Sequence, residues 1–216
     1  MAHHRSRQWL GPSLSGALAL GIAGLLGWPG PSASAQAAVG SPAPDFTLAD
    51  TTGQLRTLSG FSGKFVVLEW FNNDCPFVRK HYDSGQMQQL QGAQTANGVV
   101  WLTISSSAKG RQGSMSPEQA DAIIASRQAK PTALLLDPDG VVGRLYGAKT
   151  TPHLFIVDPQ GTLIYAGAID DKPSTDPADL AQAVNYVQRA LEEAMAGRPV
   201  SIPETASYGC SVKYRE

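Results

Sequence analysis

The stretch FVVLEWFNNDCPFVRKHY (residues 65–82) decides the fold of this protein. Residues 65–71 form an apolar run rich in β-branched and aromatic side chains, which is typical of a strand buried in the centre of a sheet. From Pro76 the pattern becomes helical and stays so to about Leu90. Cys75, one of the two cysteines in the 216-residue chain, therefore lies where a buried strand ends and a helix begins.

The position of Cys75 favours a reactive thiolate. A helix N-terminus exposes unpaired N–H groups and the positive end of the helix dipole, and both stabilise a thiolate. Arg79, four residues later on the same helix face, adds positive charge, whereas the neighbouring Asp74 disfavours a second anion. The residues alone leave three interpretations open: a redox nucleophile, a buried inert thiol, or one half of a structural disulfide.

Strands and helices alternate along most of the chain. The pattern predicts, in order, a hairpin within residues 40–64, a strand at 99–105, a helix at 116–128, a strand at 132–137, a helical turn at 141–147 and a hairpin at 152–169. Such alternation indicates an α/β fold, and the last hairpin makes its central sheet mixed. A single domain over residues 38–197 accounts for all of these elements.

The clearest helical pattern covers residues 174–197, with Asp176 as the expected N-cap and Gly197 as the expected end. Its expected apolar face consists of Leu180, Val184, Val187, Leu191 and Ala194. The tail that follows, residues 198–216, has no regular period and is expected to be loose, yet it carries Cys210.

Residues 1–37 have the form of a secretory signal peptide. Two arginines precede an apolar run at residues 16–28, and two A-x-A cleavage sites end at Ala35 and Ala37. The run is shorter than the roughly 20 residues that a spanning helix needs, although an uncleaved anchor is the alternative. We therefore expect a periplasmic or secreted protein without a membrane span after signal removal. The formal charge of −1 gives no indication of nucleic-acid binding.

Four segments carry a resemblance to a known family: PAPDFTLADTTGQLRTLSGFSGK (42–64), VVLEWFNNDCPFVRKHY (66–82), TPHLFIVDPQG (151–161) and YGCSVKY (208–214). Together they resemble the alkyl hydroperoxide reductase and thiol-specific antioxidant group of redoxins, in its peroxiredoxin-like branch. The resemblance covers about residues 40–170, and in the tail it rests on a short motif only. It implies a thioredoxin-like fold, in which a mixed central sheet is flanked by helices, with Cys75 as the active cysteine and a cis Pro152, preceded by Thr151, facing it.

The sequence also departs from this family. Peroxiredoxins carry a proline and a hydroxyl residue seven and three positions before the cysteine, where this chain has Leu68 and Asn72. The peroxide-holding hydroxyl is therefore missing, and Asn72 or a backbone N–H is the candidate substitute. Thioredoxin-type reductases carry C-x-x-C, but the fourth position here is Val78. Any internal disulfide must therefore use Cys210.

These observations predict an exported thiol–disulfide oxidoreductase in which Cys75 and Cys210 are the catalytic pair. Cys210 is then a mobile resolving cysteine; the alternatives for it are a staple, an intermolecular partner and a free thiol. The expected substrate groove is lined by Thr151, Pro152, Asn72 and Arg79.

The expected partners are protein or small-molecule disulfides or peroxides, and a thiol reductant that the sequence does not identify. A thiol-dependent peroxidase is the first alternative, and a redox-inert binding module with a Cys75–Cys210 staple is the second. No cofactor or metal is expected. His81 and His153 suggest copper handling together with Cys75, but that chemistry usually needs a second cysteine near the helix start. His81 and Lys80 are expected on the solvated surface of the helix.

Overall fold

The computed structural model describes residues 36–216. The predicted signal peptide, residues 1–37, lies outside the described residues except for its last two. Within residues 36–216, none of the helices has the length and apolarity needed to cross a membrane.

A seven-stranded sheet forms the centre of the fold, with the strands in the order β2-β1-β5-β4-β3-β7-β8. Its strands are β1 (Thr47–Asp50), β2 (Leu55–Thr57), β3 (Val66–Trp70), β4 (Val100–Ser105), β5 (Ala133–Leu136), β7 (His153–Val157) and β8 (Leu163–Gly167). The β3–β4 and β4–β5 pairs are parallel and the other pairs are antiparallel. The predicted α/β fold with a mixed sheet is therefore confirmed.

The interior strand β3 is buried on both faces because its side chains alternate between two apolar clusters. Val67 points into one cluster, whereas Val66, Leu68 and Trp70 point into the other. Within residues 36–216, five α-helices flank the sheet: α1 (Pro76–Asp83), α2 (Gln86–Ala96), α3 (Pro117–Ser126), α4 (Val141–Leu145) and α5 (Tyr186–Met195).

The predicted helix over residues 174–197 is wrong in its first half. A 3-10 helix covers Pro177–Gln182, and α5 begins only at Tyr186, with Asn185 as its N-cap. The side chain of Asn185 accepts a hydrogen bond from the backbone of Gln188 at 2.9 Å, which starts a new helix. Val184, expected on the apolar face, is 45% exposed.

The helix expected to continue from Pro76 to about Leu90 is also interrupted. Gly85 has φ +77° and forms the N-cap of α2, so that two shorter helices replace one. Glycine adopts this left-handed conformation without the steric cost that other residues meet.

The tail expected to be loose is instead bound to the domain along much of its length. The backbone N–H of Val212 donates to the Lys149 carbonyl at 3.0 Å, and that of Ala108 donates to the Lys213 carbonyl at 2.8 Å. Within the tail, β9 (Cys210–Ser211) pairs antiparallel with β6 (Thr150–Thr151). These bonds therefore hold Cys210 itself and the residues that follow it.

Candidate active site

Cys75 occupies the N-cap position of α1, immediately before Pro76. Its carbonyl accepts the first helical hydrogen bond, from the backbone N–H of Arg79 at 2.9 Å. The residue is completely buried, and its Sγ donates a hydrogen bond to the carbonyl oxygen of Thr151 at 3.0 Å. The strand-to-helix junction predicted from the sequence therefore places the thiol against the loop that precedes β7.

That loop also contacts the second cysteine. The Thr151–Pro152 peptide bond is cis, as the resemblance implied. In the β6–β9 ladder, Thr151 is paired directly with Cys210, and both cysteines are free thiols. Thr151 thus contacts Cys75 through its carbonyl and Cys210 through the strand pairing, and the two cysteines are brought to one place although 135 positions separate them in the sequence.

A close backbone approach at Gly209 makes this pairing possible. Gly209 has φ +132°, and a Cβ atom at this position would lie only 2.1 Å from the Thr151 carbonyl oxygen. Residues other than glycine rarely adopt this conformation, and none fits this contact without displacement of the backbone. The glycine before Cys210 therefore allows this close contact between the tail and Thr151.

The environment of Cys75 favours its thiolate. Burial by itself raises the pKa of the Cys75 thiol, but hydrogen bonds from Cys210, from the side chain of Thr151 and from the backbone at Val78 lower it further than burial raises it. The Thr151 hydroxyl is buried and has no hydrogen-bond partner in the part of the chain that the structure describes. It is thus a buried donor left free for the charged sulfur.

The pKa of the Cys210 thiol is shifted in the opposite direction. Burial and the neighbouring Cys75 raise the pKa of the Cys210 thiol to about 11, while the charges of Lys213 and Arg79 act in the lowering direction. Arg79 is exposed, and its positive charge bears on Cys210. Because the pKa of one thiol is lowered and that of the other is raised, Cys75 loses its proton first and is the stronger candidate for the attacking group.

Asn72, predicted to line the groove, lies in the loop before the helix with both of its polar groups engaged. Its Oδ1 accepts from the Asp74 backbone at 2.9 Å, and its Nδ2 donates to the Gln112 carbonyl at 3.3 Å. The Asp74 carboxylate accepts a hydrogen bond from the backbone N–H of Gly113 at 3.2 Å, so it points towards the loop that contains Gln112 and Gly113. These bonds hold the loop that leads into Cys75.

Glu69 is a buried acid that the sequence reasoning missed. Its carboxylate accepts hydrogen bonds from Tyr82 Oη at 2.8 Å and Trp101 Nε1 at 2.7 Å, and further bonds from Gln91 and Thr103. Burial raises its pKa, and these bonds only partly oppose the shift. The signal that points to it is an acidic residue within the otherwise apolar run 65–71.

A second buried polar cluster was also missed, because Lys80 and His81 were expected on a solvated helix face. That expectation is wrong: both residues are 2% exposed. Lys80 Nζ lies 4.0 Å from Asp170 Oδ2 and donates to the Lys172 carbonyl at 2.7 Å. Tyr208, from the tail, donates its hydroxyl hydrogen to the Asp170 carboxylate.

The two histidines considered for copper are placed in different surroundings. His81 Nε2 lies 3.9 Å from Asp170, whereas His153 Nδ1 accepts from the Lys149 backbone at 3.3 Å. Across residues 36–216, no three His, Cys, Asp or Glu side chains are grouped so that they could hold a metal ion.

Known proteins show similarity in both sequence and fold. No curated protein matches the sequence significantly. A hypothetical protein from Sinorhizobium meliloti 1021 is 26% identical, with 82% of this chain and 95% of that chain covered and a TM-score of 0.69. An uncharacterized conserved protein from Geobacillus kaustophilus is 27% identical, with coverage of 82% and 93% and a TM-score of 0.72.

A putative thiol:disulfide interchange protein, DsbE, from Chlorobium tepidum is 28% identical, with 61% of this chain and 85% of that chain covered and a TM-score of 0.50. The model of the AhpC/TSA family matches residues 39–166, which include both the strand-to-helix junction at Cys75 and the cis-proline loop. The chain therefore belongs to the AhpC/TSA family of thioredoxin-like redoxins.

Proposed function

We propose that the protein is a thiol–disulfide oxidoreductase in which Cys75 is the nucleophile and Cys210 resolves the intermediate. One observation carries this proposal: Thr151 accepts the Cys75 thiol hydrogen bond and is also the strand partner of Cys210. A disulfide requires two cysteines whose backbones approach closely, and the β6–β9 pairing supports this role because it sets Cys210 opposite the residue that Cys75 contacts.

The first step is attack by the Cys75 thiolate on a substrate disulfide. A bond forms between Cys75 Sγ and one substrate sulfur, the substrate disulfide breaks, and the other substrate sulfur leaves as a thiolate. The Thr151 hydroxyl is buried without a hydrogen-bond partner within residues 36–216, so we propose that it donates to the Cys75 thiolate once the thiol has lost its proton.

In the second step Cys210 attacks Cys75, the remaining substrate sulfur leaves, and a Cys75–Cys210 disulfide forms. Two electrons have then passed from the protein to the substrate, and an outside dithiol returns them. Because the neighbouring Cys75 raises the pKa of Cys210, bonding Cys75 to a substrate sulfur removes that charge and makes Cys210 easier to ionise. The second nucleophile is thus activated only after the first has reacted.

Disulfides are favoured over peroxides as substrates. Asn72, the candidate substitute for the peroxide-holding hydroxyl, has both polar groups engaged, one by the backbone of Asp74 and the other by the carbonyl of Gln112. The Chlorobium tepidum relative is described as a putative thiol:disulfide interchange protein, which is consistent with disulfide chemistry. We propose that this chemistry takes place in the periplasm or outside the cell, on the basis of the predicted signal peptide.

A redox titration of the mature protein tests the proposal. The protein is equilibrated in thiol–disulfide buffers of graded potential, free thiols are trapped by acid quenching and mass-tagged alkylation, and the Cys75–Cys210 pair is quantified. A midpoint above about −300 mV identifies a labile, recyclable couple. A pair that resists reduction at that potential is a staple, and a protein that forms no internal disulfide lacks the proposed resolving step.

A further inference from the structure

Tyr208, two residues before Cys210, is held by a buried polar cluster that takes no part in the proposed reaction. Its hydroxyl donates to Asp170 Oδ1 and lies 3.4 Å from His81 Nε2. The Lys80 ammonium lies 5.6 Å from the centroid of the Tyr208 ring, within the range of a cation–π contact. The side chain is therefore bound through both its ring and its hydroxyl.

Two members of the cluster, Lys80 and His81, lie in the helix that Cys75 caps. Phe77, Lys80 and His81 share one face of α1 because they are three and four residues apart. The Phe77 and Tyr208 ring centroids are 5.9 Å apart. The N-cap of α1 is Cys75. The helix therefore sets the distance between the sulfur that reacts and the site that binds Tyr208.

The link from Tyr208 to Cys210 is short. Two residues span at most about 7 Å in a fully extended chain. While the Tyr208 ring is bound, Cys210 cannot move far from its place opposite Thr151. A reacting group restrained in this way has a high effective concentration at its target.

The Asp170 carboxylate depends on the Tyr208 hydroxyl. Asp170 is 3% exposed, and the same Oδ1 also accepts from the Lys172 backbone at 2.9 Å. The bond from the hydroxyl to this carboxylate is charge-assisted, which makes it stronger than a hydrogen bond between neutral groups. Loss of the hydroxyl removes one donor from a buried charge and weakens the hold on the tail.

We propose that Tyr208 and Asp170 are positioning residues that keep Cys210 within reach of Cys75 during the second step. This inference rests on the proposed function. When Cys75 is bonded to a substrate sulfur, the incoming group competes with β9 for space beside Thr151. The anchored Tyr208 then keeps Cys210 beside the mixed disulfide, whereas an unanchored tail separates from the groove.

A single turnover with glutathione disulfide tests this inference. Cys75 takes one sulfur to give a Cys75–glutathione mixed disulfide and releases one glutathione. Cys210 then displaces the second glutathione as the internal disulfide forms, so two electrons pass from the protein dithiol to glutathione disulfide. Mass spectrometry of acid-quenched samples measures the adduct and the internal disulfide over time.

Tyr208→Phe keeps the ring and removes only the hydroxyl. We expect the second step to slow by about 10- to 100-fold, the range that corresponds to loss of one hydrogen bond to a charged group, so that the adduct accumulates. Asp170→Asn should slow the same step, and the double variant should be no slower than the slower single variant, because both changes remove one bond. Tyr214→Phe is the matched control. Tyr214 follows Cys210 in the tail, and this change removes the hydrogen bond from its hydroxyl to the Ala148 carbonyl. This variant should resolve the adduct at a rate close to that of the parent.

The proposal is overturned if Tyr208→Phe, with an unfolding midpoint near that of the parent, resolves the adduct at the parent rate. It is equally overturned if Tyr214→Phe slows the step as much as Tyr208→Phe does. Cys210→Ser distinguishes a failure of the proposed function: it should accumulate the adduct without resolving it. If neither Cys210→Ser nor the parent forms an adduct, Cys75 is not the nucleophile. That outcome refutes the proposed function itself, not only the positioning role of Tyr208.

Discussion

Replacing Gly209 with alanine should release the tail from Cys75. A non-glycine residue in this region of backbone space costs about 1–3 kcal/mol. The added Cβ also meets the Thr151 carbonyl oxygen at 2.1 Å and its carbon at 2.8 Å, so backbone atoms must separate. The backbone strain alone corresponds to a rise of about 5- to 150-fold in the equilibrium between the released and the bound tail.

The alkylation rate of Cys75 reports this equilibrium. Cys75 has no exposed surface, so a reagent reaches it only after an opening event, and the rate is proportional to the opening equilibrium when closing is fast. We expect Gly209→Ala to raise the rate by at least about fivefold, measured by mass spectrometry of the peptide that contains Cys75.

Gly161→Ala is the matched control. Gly161 has φ +84° but nothing within 4 Å of the added Cβ, in a turn remote in sequence from the tail. It should lower the stability of the fold without the same rise in Cys75 alkylation. A folded Gly209→Ala variant that alkylates no faster than Gly161→Ala would refute the reasoning, because the tail would then not be what covers Cys75.

Three further predictions concern buried polar groups. Thr151→Val removes the donor left free for the thiolate and should raise the pKa of Cys75, seen as a shift of the thiolate ultraviolet absorbance to higher pH; an unchanged titration contradicts this role. Burial, aided by the charge of Lys149, lowers the pKa of His153 to about 4, so between about pH 6.5 and pH 4 the unfolded chain binds a proton that the folded chain does not. Stability due to His153 should therefore fall by about 3 kcal/mol as the pH falls through this window. His153→Gln should remove that slope in urea titrations, read as the difference from the parent because Glu69 titrates in the opposite direction. Glu69→Leu leaves the donors of its buried network without their acceptor and should cost about 3–5 kcal/mol of unfolding free energy, whereas a loss below about 1 kcal/mol would show that the network contributes little.

Much of the fold is encoded in short segments of the sequence. The apolar run at 65–71, the following Cys75 and Pro76 predict a buried strand and a helix start, and β3 and α1 are found there. These features depend on side-chain periodicity and on proline geometry, which act over a few residues. The position of Cys75 at the start of α1 was therefore predictable from the sequence.

The helix break at residues 183–185 depended on distant contacts. The backbone N–H of Val184 donates to Asp171 Oδ1 at 2.8 Å, and Asn185 caps a new helix. Helical periodicity over residues 174–197 gives no information about a hydrogen bond to a side chain outside that segment, such as that of Asp171. The same limit explains why Lys80 and His81 were expected on the surface, since their partner Asp170 is about 90 positions away in the sequence.

The sequence by itself determined the fold class, the strand-to-helix junction and the identity of Cys75 as the candidate nucleophile. Only the tertiary structure decided where Cys210 lies, because the tail has no periodic pattern of its own. Its conformation is set by backbone pairing with Thr151 and by the binding of Tyr208 to Asp170. Such contacts join residues far apart in the chain, and their partners are known only when the chain has folded.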